Sequence, residues 1–452
     1  MPALPARVVI AGTHSGVGKT TVATGLMAAL RHAGHRVGAA KVGPDFIDPG
    51  YHSLAVGRPS RNLDIWMSGS DAIAPLAARA AAGTDVLVIE GVMGLFDGAG
   101  DGTPSSTADV AVLLEAPVVL VVDAASMSQS VAALVHGFAT HDPRLHVAGV
   151  ILNRVGSAGH ETMLREALAP SGIPVLGVLM RDERLVWRDR HLGLIPVAER
   201  GLEVAASIET LAGLIAQRCD LAAIVALAAA APTLAGGDPA LPAAVEGTSV
   251  RIAIAAGPAF SFTYPDNVEA LASAGAELVP FDPRVDDALP LGIDGLLAGG
   301  GFPEVYAAEL SANTRMLADV RRRVGAGLVT WAECGGLLWL SDDLDGSPMA
   351  GAVRARSSMT PRLTLGYRTA TTTMDTPIGP AGTMLRGHEF HYSVTDPPGD
   401  AFELSGRHGS GVGGFGQRHL IASYVHAHLG ARPDLAEAFV SACSTLRLPY
   451  TG

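Results

Sequence analysis

A glycine-rich loop with phosphate-binding chemistry is the first functional feature of the sequence. Residues 12–21 read GTHSGVGKTT and connect an apolar segment at 7–12 to a helix-like segment at 19–34. In such a loop, backbone N–H groups point at phosphate oxygens, the lysine reaches the β- and γ-phosphates, and the next hydroxyl ligates Mg²⁺. The usual first glycine is replaced by Thr13, and a purely structural glycine turn is the alternative interpretation. We predict an ATP site that includes Thr13, Ser15, Gly16, Gly18, Lys19, Thr20 and Thr21.

Acidic residues follow the next predicted strands and are candidates for the metal side of this site. Glu90 ends the apolar segment DVLVIE, Asp45 and Asp48 follow the second strand, and Asp97 follows Glu90 by seven positions. Ligands of open α/β sheets bind outside the carboxyl ends of the strands, so all four acids are expected near the phosphates. A turn or helix cap is the structural alternative, and it is strongest for Asp48, which precedes a Pro-Gly pair. A strand-end glutamate before a glycine has little evident structural purpose, which favours Glu90.

Two polar residues end later strands. Asp123 is an alternative metal-side acid, and Asn153 in the segment ILNR is a candidate for reading the adenine edge of ATP. A buried amide with satisfied hydrogen bonds is an equally strong interpretation of Asn153.

The second half contains a thiol in a setting that suits a nucleophile. Residues 327–340 read GLVTWAECGGLLWL, which predicts a strand, a sharp turn at Cys334 and a helix that begins at Gly335-Gly336. A strand-turn-helix elbow of this kind exposes a nucleophilic side chain. The alternative is a small, inert core cysteine. Cys219 and Cys443 lie in helical segments and are predicted to be structural.

Two other segments offer the groups that a thiol nucleophile needs. LLAGGGFPE at 296–304 places three glycines after a strand, and its backbone N–H groups, with that of Gly335, are candidates for an oxyanion hole at Gly300, Gly301 and Gly335. LIASYVHAHLG at 420–430 offers His426 and His428 to take the thiol proton. RGHEFHYS at 386–393 fits an ordinary strand near this site, and we assign no metal to its histidines.

The surrounding pattern predicts two α/β domains. Apolar strands alternate with helices in both halves, which is typical of βαβ units in doubly wound parallel sheets. The alternation stops at 231–248, a segment rich in Ala, Gly and Pro that we interpret as a linker. The predicted domains are therefore 1–230 and 249–452. The predicted strands are 7–12, 36–41, 85–91, 117–123, 146–153 and 173–179 in the first domain, and 251–257, 276–282, 294–300 and 327–334 in the second.

Composition excludes several classes of function. The 452 residues are 48% hydrophobic and 17% charged, yet no apolar run has the roughly 18 residues that a membrane span needs. The net charge of −12 is opposite to the usual footprint of a nucleic-acid binder. The start of the chain does not resemble a signal peptide, and the three separated cysteines favour a reducing cytoplasm.

The two predicted sites together indicate synthesis of an amide. ATP can activate a carboxylate as an acyl phosphate, and a thiol can release ammonia from glutamine through a thioester. An ATPase alone would have no use for the thiol site, and a hydrolase alone would have no use for the phosphate loop.

Nearly the whole chain resembles the cobyrinic acid a,c-diamide synthase family, which includes hydrogenobyrinic acid a,c-diamide synthases. The resemblance rests on the segments GTHSGVGKTT, KVGPDFIDPGYH, EGVMGLFDG, LNRVGSAGH, GGGFPE, WAECGGLLWL, GHEFHYS and SYVHAH, of which KVGPDFIDPGYH is the most specific. It implies a dethiobiotin-synthetase-like P-loop domain followed by a class I glutaminase-like domain. It also implies ATP- and glutamine-dependent amidation of the a and c acetate groups of a corrin ring, with or without cobalt.

The resemblance implies roles for particular residues. Cys334 is the expected glutaminase nucleophile and His426 its activating base; Thr20, Asp45 and Glu90 are expected on the metal side. A second group, Asp48 and Asp97, is expected to organise the carboxylate or its phosphorylated intermediate. Mg²⁺, ATP, L-glutamine and a corrin carboxylate are the implied ligands, and a homodimer is the assembly that the resemblance suggests.

One position departs from the class I glutaminase pattern. Those enzymes have a glutamate two residues after the histidine, whereas this chain has His428 there. The sequence therefore predicts a Cys334–His426 dyad with a less firmly oriented histidine, and slow glutamine hydrolysis until both substrates are bound.

Three rival functions share parts of this pattern. Cobyric acid synthase and a nickel-sirohydrochlorin diamide synthase are amidotransferases on a similar plan, although the contiguous KVGPDFIDPGYH points away from the first. A partitioning-type P-loop ATPase switch is the rival from another class, and it would lack the nucleophile elbow.

Overall fold

The chain divides into two units, Met1–Pro239 and Ala240–Gly452. The structure is a computed structural model, and it describes residues 4–100, 102–181, 189–190, 193–194, 201–237, 241–242, 244, 249–407 and 409–446. The predicted linker at 231–248 lies partly outside these residues. Within its described part, Pro232 and Leu234 belong to the first unit, because their carbonyl oxygens accept hydrogen bonds from Arg7 and from the backbone of Leu4.

A seven-stranded parallel sheet forms the centre of the first unit, in the order β3-β2-β4-β1-β5-β6-β7. Its strands are β1 (Ala6–Gly12), β2 (Val37–Val42), β3 (Arg61–Leu63), β4 (Val86–Glu90), β5 (Val118–Asp123), β6 (Val147–Val155) and β7 (Val175–Met180); a short pair, β8 (Asp189–Arg190) and β9 (Gly193–Leu194), lies apart. The helices are α1 (Lys19–His32), α2 (Ile47–Val56), α3 (Ile65–Ser68), α4 (Ile73–Ala80), α5 (Thr107–Leu113), α6 (Ser130–Thr140), α7 (Ala158–Leu168), α8 (Gly201–Arg218) and α9 (Leu221–Ala229).

The central strands are apolar because both of their faces are covered. Every residue of β2 and of β4 is buried, as expected for a parallel sheet between two helical layers. All six strands predicted for this half are present. The additional strand β3 was missed because it has only three residues and begins with the polar pair Arg61-Asn62.

The second unit contains a six-stranded sheet in the order β11-β10-β12-β13-β21-β20, in which only β20 is antiparallel. Its strands are β10 (Val250–Ala255), β11 (Ala276–Phe281), β12 (Gly295–Ala298), β13 (Val329–Glu333), β20 (Phe415–Gln417) and β21 (Leu420–Ser423). The helices are α10 (Pro265–Ser273), α11 (Ala307–Ala312), α12 (Thr314–Gly325), α13 (Gly335–Leu340) and α14 (Pro433–Thr445). The α11 and α12 helices are separate because Asn313 begins α12, where its side chain accepts a hydrogen bond from Met316 N.

A second sheet in this unit was not predicted as a whole. It has the order β15-β14-β16-β17-β22, with β18 and β19 added beside β16. The strands are β14 (Asp343–Leu344), β15 (Ser347–Pro348), β16 (Arg356–Thr372), β17 (Met384–Asp396), β18 (Phe402–Gly406), β19 (Gly409–Gly413) and β22 (His426–Ala427). The segment 386–393 lies within β17, and the β17–β22 register places His388 opposite His426.

These two units confirm the predicted α/β class. Among the described residues, no helix is both long enough and apolar enough to cross a membrane. The high hydrophobic content instead belongs to the strands and helix faces packed inside each unit.

Candidate active sites

The predicted phosphate loop lies between β1 and α1, at the carboxyl edge of the first sheet. Gly16 and Gly18 have φ values of 83° and 94°, in the left-handed region that favours glycine. Gly18 is the residue that precedes α1, so the first N–H groups of the helix face the loop. Ser15 and Gly16 are exposed at the rim. Backbone donors at such a helix start suit a phosphate.

Lys19 lies inside this loop. Its Nζ donates hydrogen bonds to Met93 O at 2.5 Å and to His14 O at 3.3 Å. Burial and the neighbouring charge of Lys41 lower the pKa of Lys19 to about 8. A phosphate group would give the ammonium a full counter-charge and raise this pKa again.

Two residues from the end of β6 support the loop from behind. Asn153 Nδ2 donates to Val17 O at 2.8 Å, and Arg154 donates to Gly16 O at 2.9 Å. Arg154 also forms an ion pair with Asp123. This ion pair gives the Asp123 carboxylate a charged partner that is not a metal ion. Asn153 thus has the geometry of the buried, satisfied amide, and its predicted role in adenine recognition stays a prediction.

The close approach of Asn153 leads to a prediction for Gly18→Ala. A Cβ on Gly18 would overlap Asn153 Nδ2, in addition to the strain of the positive φ. We expect nucleotide affinity to fall strongly, measured as the Kd for ATP. Gly34→Ala is the matched control, since Gly34 also has a φ of +94° but its Cβ would meet nothing within 4 Å. Equal losses in the two variants would contradict a specific role for the Gly18–Asn153 contact.

Next to the loop lies a buried cluster of charged and polar side chains. Thr20 Oγ1 donates to Glu90 Oε1 at 2.7 Å and to Asp48 Oδ2 at 3.3 Å. Lys41 Nζ lies 2.7 Å from Asp48 Oδ2 and 2.9 Å from Glu90 Oε1. His52 Nε2 contacts the other oxygen of Glu90 at 2.6 Å. The fold therefore brings together Thr20, Asp48 and Glu90, which the sequence analysis proposed as site residues. It adds two basic partners that the sequence analysis did not propose, Lys41 and His52.

The charges of this cluster depend on one another. Burial alone would raise the pKa of Glu90, but Lys41 and His52 outweigh it and hold this pKa well below the usual range. Burial would lower the pKa of Lys41, yet Asp48 and Glu90 raise it above normal. Burial raises the pKa of Asp48, and repulsion from Glu90 raises it further. We conclude that Lys41 and Glu90 are charged and that Asp48 is the carboxyl group most easily protonated.

The expectation that Glu90 has little structural purpose was wrong. Its carboxylate is fully buried and holds Lys41, His52 and Thr20 at the end of β4. Composition held a signal for Lys41 that the sequence analysis did not use. Of the 32 basic residues, 30 are arginines, and the only two lysines are Lys19 and Lys41. An ammonium is a compact point charge that guanidinium does not replace.

The other two candidate acids have structural contacts. Asp45 accepts hydrogen bonds from Ile47 N and Asp48 N, both at 3.0 Å, and so caps the start of α2. Asp97 accepts from Gly94 N at 2.9 Å and closes a turn, while its exposed carboxylate remains within electrostatic reach of Lys19. Asp45 therefore has the contacts of a helix cap, and Asp97 has the contact of a turn. The predicted roles of Asp45 at the metal and of Asp97 at the substrate stay predictions.

The oxygen atoms around Thr20 fit Mg²⁺. This ion prefers oxygen ligands and is usually held by one or two carboxylates together with nucleotide phosphates. Thr20, Asp48 and Glu90 supply such oxygens within hydrogen-bond distance of one another. No three His, Cys, Asp or Glu side chains in the described part of the chain are grouped to hold a metal by themselves. A magnesium ion here would therefore need the phosphates for its remaining ligands.

In the second unit, Cys334 occupies a strained turn between β13 and α13. Its φ is 49° and its ψ is −100°, a conformation that non-glycine residues rarely adopt. Backbone strain of this kind is typical of nucleophile elbows. The thiol is 6% exposed and donates to Phe390 O of β17 at 3.9 Å. The elbow predicted from the sequence is therefore present, although the thiol is more enclosed than expected.

His426 is paired with this thiol. Burial lowers the pKa of the imidazole, but the interactions with Cys334 and Glu333 outweigh it and raise the pKa of His426 to about 9. His388 stacks on the other side, with ring centroids 4.9 Å apart and an interplanar angle of 20°. Of the two histidines that the sequence offered, His426 is the one at the thiol; His428 faces Asp266, at 3.7 Å, and the ring of Tyr264.

The glycine loop does not supply all three predicted oxyanion donors. The N–H group of Gly300 donates to Phe262 O at 3.2 Å, so the prediction for Gly300 is corrected. Its role is steric, because a Cβ there would lie 2.5 Å from His426 Cε1. Gly301 and Gly335 remain candidates: a Cβ on Gly335 would be 3.0 Å from Gly301 N, so their backbones lie together beside the thiol.

This steric role predicts the effect of Gly300→Ala. The added methyl displaces the ring of His426, so glutamine-dependent activity should fall while ammonium-dependent activity is kept. Steady-state rates with the two nitrogen donors measure this. Gly411→Ala is the control, since its Cβ would meet nothing within 4 Å. An active Gly300→Ala enzyme with glutamine would contradict the close packing of His426.

Polar side chains of β17 surround the histidine. The Tyr264 hydroxyl and His388 Nε2 are hydrogen-bonded at 3.0 Å, and Glu389 forms an ion pair with Arg368 at 2.7 Å. His391 Nδ1 donates to Ser393 O at 2.8 Å, and the ring of His391 stacks on Tyr424. The segment GHEFHYS thus lines the thiol site as a strand, as predicted. Its contacts could not be seen from the sequence, because they depend on the pairing of β17 with β22.

The other two cysteines are buried, in keeping with the predicted structural role; Cys443 lies in α14 as predicted, whereas Cys219 directly follows α8 and is not part of a helix. Burial raises the pKa of Cys219 to about 12, and its side chain lies against Gly177 of β7. Cys443 is fully buried against Gly295.

The fold and these sites define a P-loop nucleotide-binding unit joined in one chain to a thiol-dependent glutamine amidotransferase unit. Residues 8–194 match the CobQ/CobB/MinD/ParA nucleotide-binding domain family, and residues 251–434 match the CobB/CobQ-like glutamine amidotransferase domain family. The chain is 48% identical to a hydrogenobyrinate a,c-diamide synthase of Streptomyces coelicolor, covering 97% of this chain and 98% of the relative. It is 47% identical to that of Thermobifida fusca, covering 98% and 97%.

A cobyrinate a,c-diamide synthase of Syntrophotalea carbinolica is 46% identical, with 97% of this chain and 98% of the relative covered. The chain therefore belongs to the hydrogenobyrinate and cobyrinate a,c-diamide synthase family, as the sequence motifs indicated.

Proposed function

We propose that this protein uses ATP and glutamine to convert the a and c acetate carboxylates of hydrogenobyrinic or cobyrinic acid into amides. One observation carries the proposal. A phosphate loop with a buried lysine and a strained cysteine paired with a buried histidine occur in one chain, and the relatives that match it over nearly its full length are named for this amidation.

In the first unit, Lys19 and the loop N–H groups bind the phosphates of ATP. The γ-phosphoryl group passes to a carboxylate oxygen of the corrin, which forms an acyl phosphate and releases ADP. Positioning and charge neutralisation supply most of the catalysis in such a step. Thr20 with Glu90, Asp48 or Asp45 would hold Mg²⁺, which would supply charge neutralisation at the phosphates.

The acidic side chains near the loop have proposed roles in the same step. Asp48, which lies 2.7 Å from Lys41 Nζ, is proposed to organise the substrate carboxylate or its phosphorylated intermediate. Asp97 is proposed to help orient the reacting groups near Lys19, with which it interacts electrostatically.

In the second unit, His426 takes the proton of Cys334 and the thiolate attacks the carboxamide carbon of glutamine. The carbon–nitrogen bond breaks, His426 returns the proton to the leaving ammonia, and water hydrolyses the thioester to glutamate. Gly301 and Gly335 are the proposed donors to the oxyanion. The ammonia then attacks the acyl phosphate, phosphate leaves, and the amide is formed.

Mass spectrometry of the products tests this function. The purified protein is incubated with ATP, Mg²⁺, glutamine and either cobyrinic or hydrogenobyrinic acid, and the amide groups gained are counted. Conversion of two carboxylates is expected, and comparison of the two acids shows which ring is preferred. Failure to amidate either acid, or amidation of other carboxylates as by a cobyric acid synthase, would reject the proposal.

Assembly and location are proposed separately. A homodimer is expected from the family resemblance and can be tested by sedimentation of the purified protein. The reducing cytoplasm remains the predicted compartment, in keeping with three free, buried cysteines.

A further inference from the structure

The acid that normally orients the histidine of a class I glutaminase is absent from its usual position. His428 occupies that position, and it faces Asp266 and Tyr264. The sequence therefore predicts a dyad. The structure, however, places a different carboxylate beside His426.

Glu333 is the last residue of β13 and directly precedes the nucleophile. Its side chain is 9% exposed, and its Oε2 lies 3.7 Å from His426 Nδ1. Its other oxygen, Oε1, accepts a hydrogen bond from Ala427 N at 3.1 Å. The carboxylate is therefore held in place by the residue that follows His426, and its other oxygen faces Nδ1 of the imidazole.

We propose that Glu333 is the positioning residue of this glutaminase site. It serves in place of the glutamate that class I glutaminases have at the position of His428. It orients His426 so that Nε2 receives the thiol proton, and it stabilises the imidazolium formed by that transfer. This is the general logic of a nucleophile, a base and a third group that orients the base. The proposal rests on the proposed roles of Cys334 and His426.

Two other carboxylates nearby are less suited to this role. Glu389 of β17 is within electrostatic reach of His426, but its carboxylate is bound by Arg368 at 2.7 Å. Asp266 of α10 pairs with His428 instead. The titratable groups that face His426 from the surrounding elements are Glu333, Cys334, His388, Glu389 and His391.

The structure also determines the sign of the pH effect. Burial lowers the pKa of His426, whereas Cys334 and Glu333 raise it to about 9. A folded-state pKa above the ordinary value means that the imidazolium persists until the pH rises through about 9. Without the carboxylate, the imidazolium loses its proton at lower pH. Because His426 must be neutral to take the thiol proton, the acid limb of the glutaminase pH profile should move to lower pH.

Glu333→Gln is the test, because its amide oxygen can still accept the hydrogen bond from Ala427 N. We expect the kcat of glutamine-dependent amidation to fall by at least about 10²-fold, since removing the orienting acid of serine proteases costs up to about 10⁴-fold. The acid limb of the pH profile should shift to lower pH, and ammonium-dependent amidation should be unchanged. A purely structural role would change stability without this shift.

Two control variants define the outcome. Glu277→Gln makes the same change at an exposed ion pair with Arg251 and should leave both activities unchanged. Asp266→Asn tests the rival pair at His428. Unchanged glutamine activity in Glu333→Gln with an unmoved acid limb, or a larger loss in Asp266→Asn, would overturn the proposal.

A direct titration keeps the test informative if Glu333→Gln does not fold. The imidazole of His426 in the wild-type protein is titrated by NMR, and a pKa clearly above the ordinary histidine value is expected. An ordinary or lower value would overturn the role of Glu333. Failure of the underlying assignment looks different: a Cys334→Ser enzyme would then remain active with glutamine, whatever the behaviour of Glu333→Gln.

Discussion

Cys334→Ser should abolish glutamine-dependent amidation and leave amidation with ammonium intact. The physical reason is the acidity of the nucleophile. His426 can take a proton from a thiol, but a serine hydroxyl in the same turn is far less acidic and does not form the attacking anion. We expect a fall of at least about 10³-fold in kcat with glutamine, comparable to losses of nucleophiles elsewhere.

The two nitrogen donors provide the internal control for this variant. Steady-state rates of amide formation are measured with glutamine and with ammonium chloride at the same ATP and corrin concentrations. Cys219→Ser is the matched replacement, because Cys219 is a buried thiol far along the chain from the site. If ammonium did not restore activity to Cys334→Ser, the assignment of separate chemistry to the two units would be wrong.

Lys19→Ala should remove amidation with both donors. The lysine is buried and is held by Met93 O and His14 O inside the loop, where we propose that the phosphates of ATP bind. Loss of one preorganised donor to a developing charge costs about 10²–10³-fold in rate. Ammonium cannot rescue this variant, because the step that it disables precedes the attack of ammonia.

Thermal unfolding with and without nucleotide separates loss of binding from loss of folding. Mg·ATP should raise the Tm of the wild-type protein, as any ligand specific for the native state does, and should raise that of Lys19→Ala much less. Lys19→Arg is an informative second variant, since it keeps the charge but replaces the compact ammonium by a planar guanidinium. Full amidation by Lys19→Ala would contradict the assignment of the phosphate loop.

The sequence alone determined features that depend on neighbouring residues. The left-handed glycines of the phosphate loop, the strained turn at Cys334 and the alternation of apolar strands with helices are all local, because a residue's type and its immediate neighbours limit the backbone conformation. The residues at the ends of parallel strands could also be foreseen, since such ends meet at one edge of a sheet. Asp48 and Glu90 were found in this way, whereas Thr20 was found from the phosphate-loop motif.

Only the tertiary structure decided which of these side chains interact. Lys41 reaches Glu90 because β2 pairs directly with β4, with Lys41 in register with Glu90. Gly300 was predicted as a donor, but the approach of Phe262 uses its N–H group. Glu333 reaches His426 because β13 pairs with β21, just ahead of β22. Such contacts join residues far apart in the chain, and strand order and register create them, which local sequence patterns do not specify.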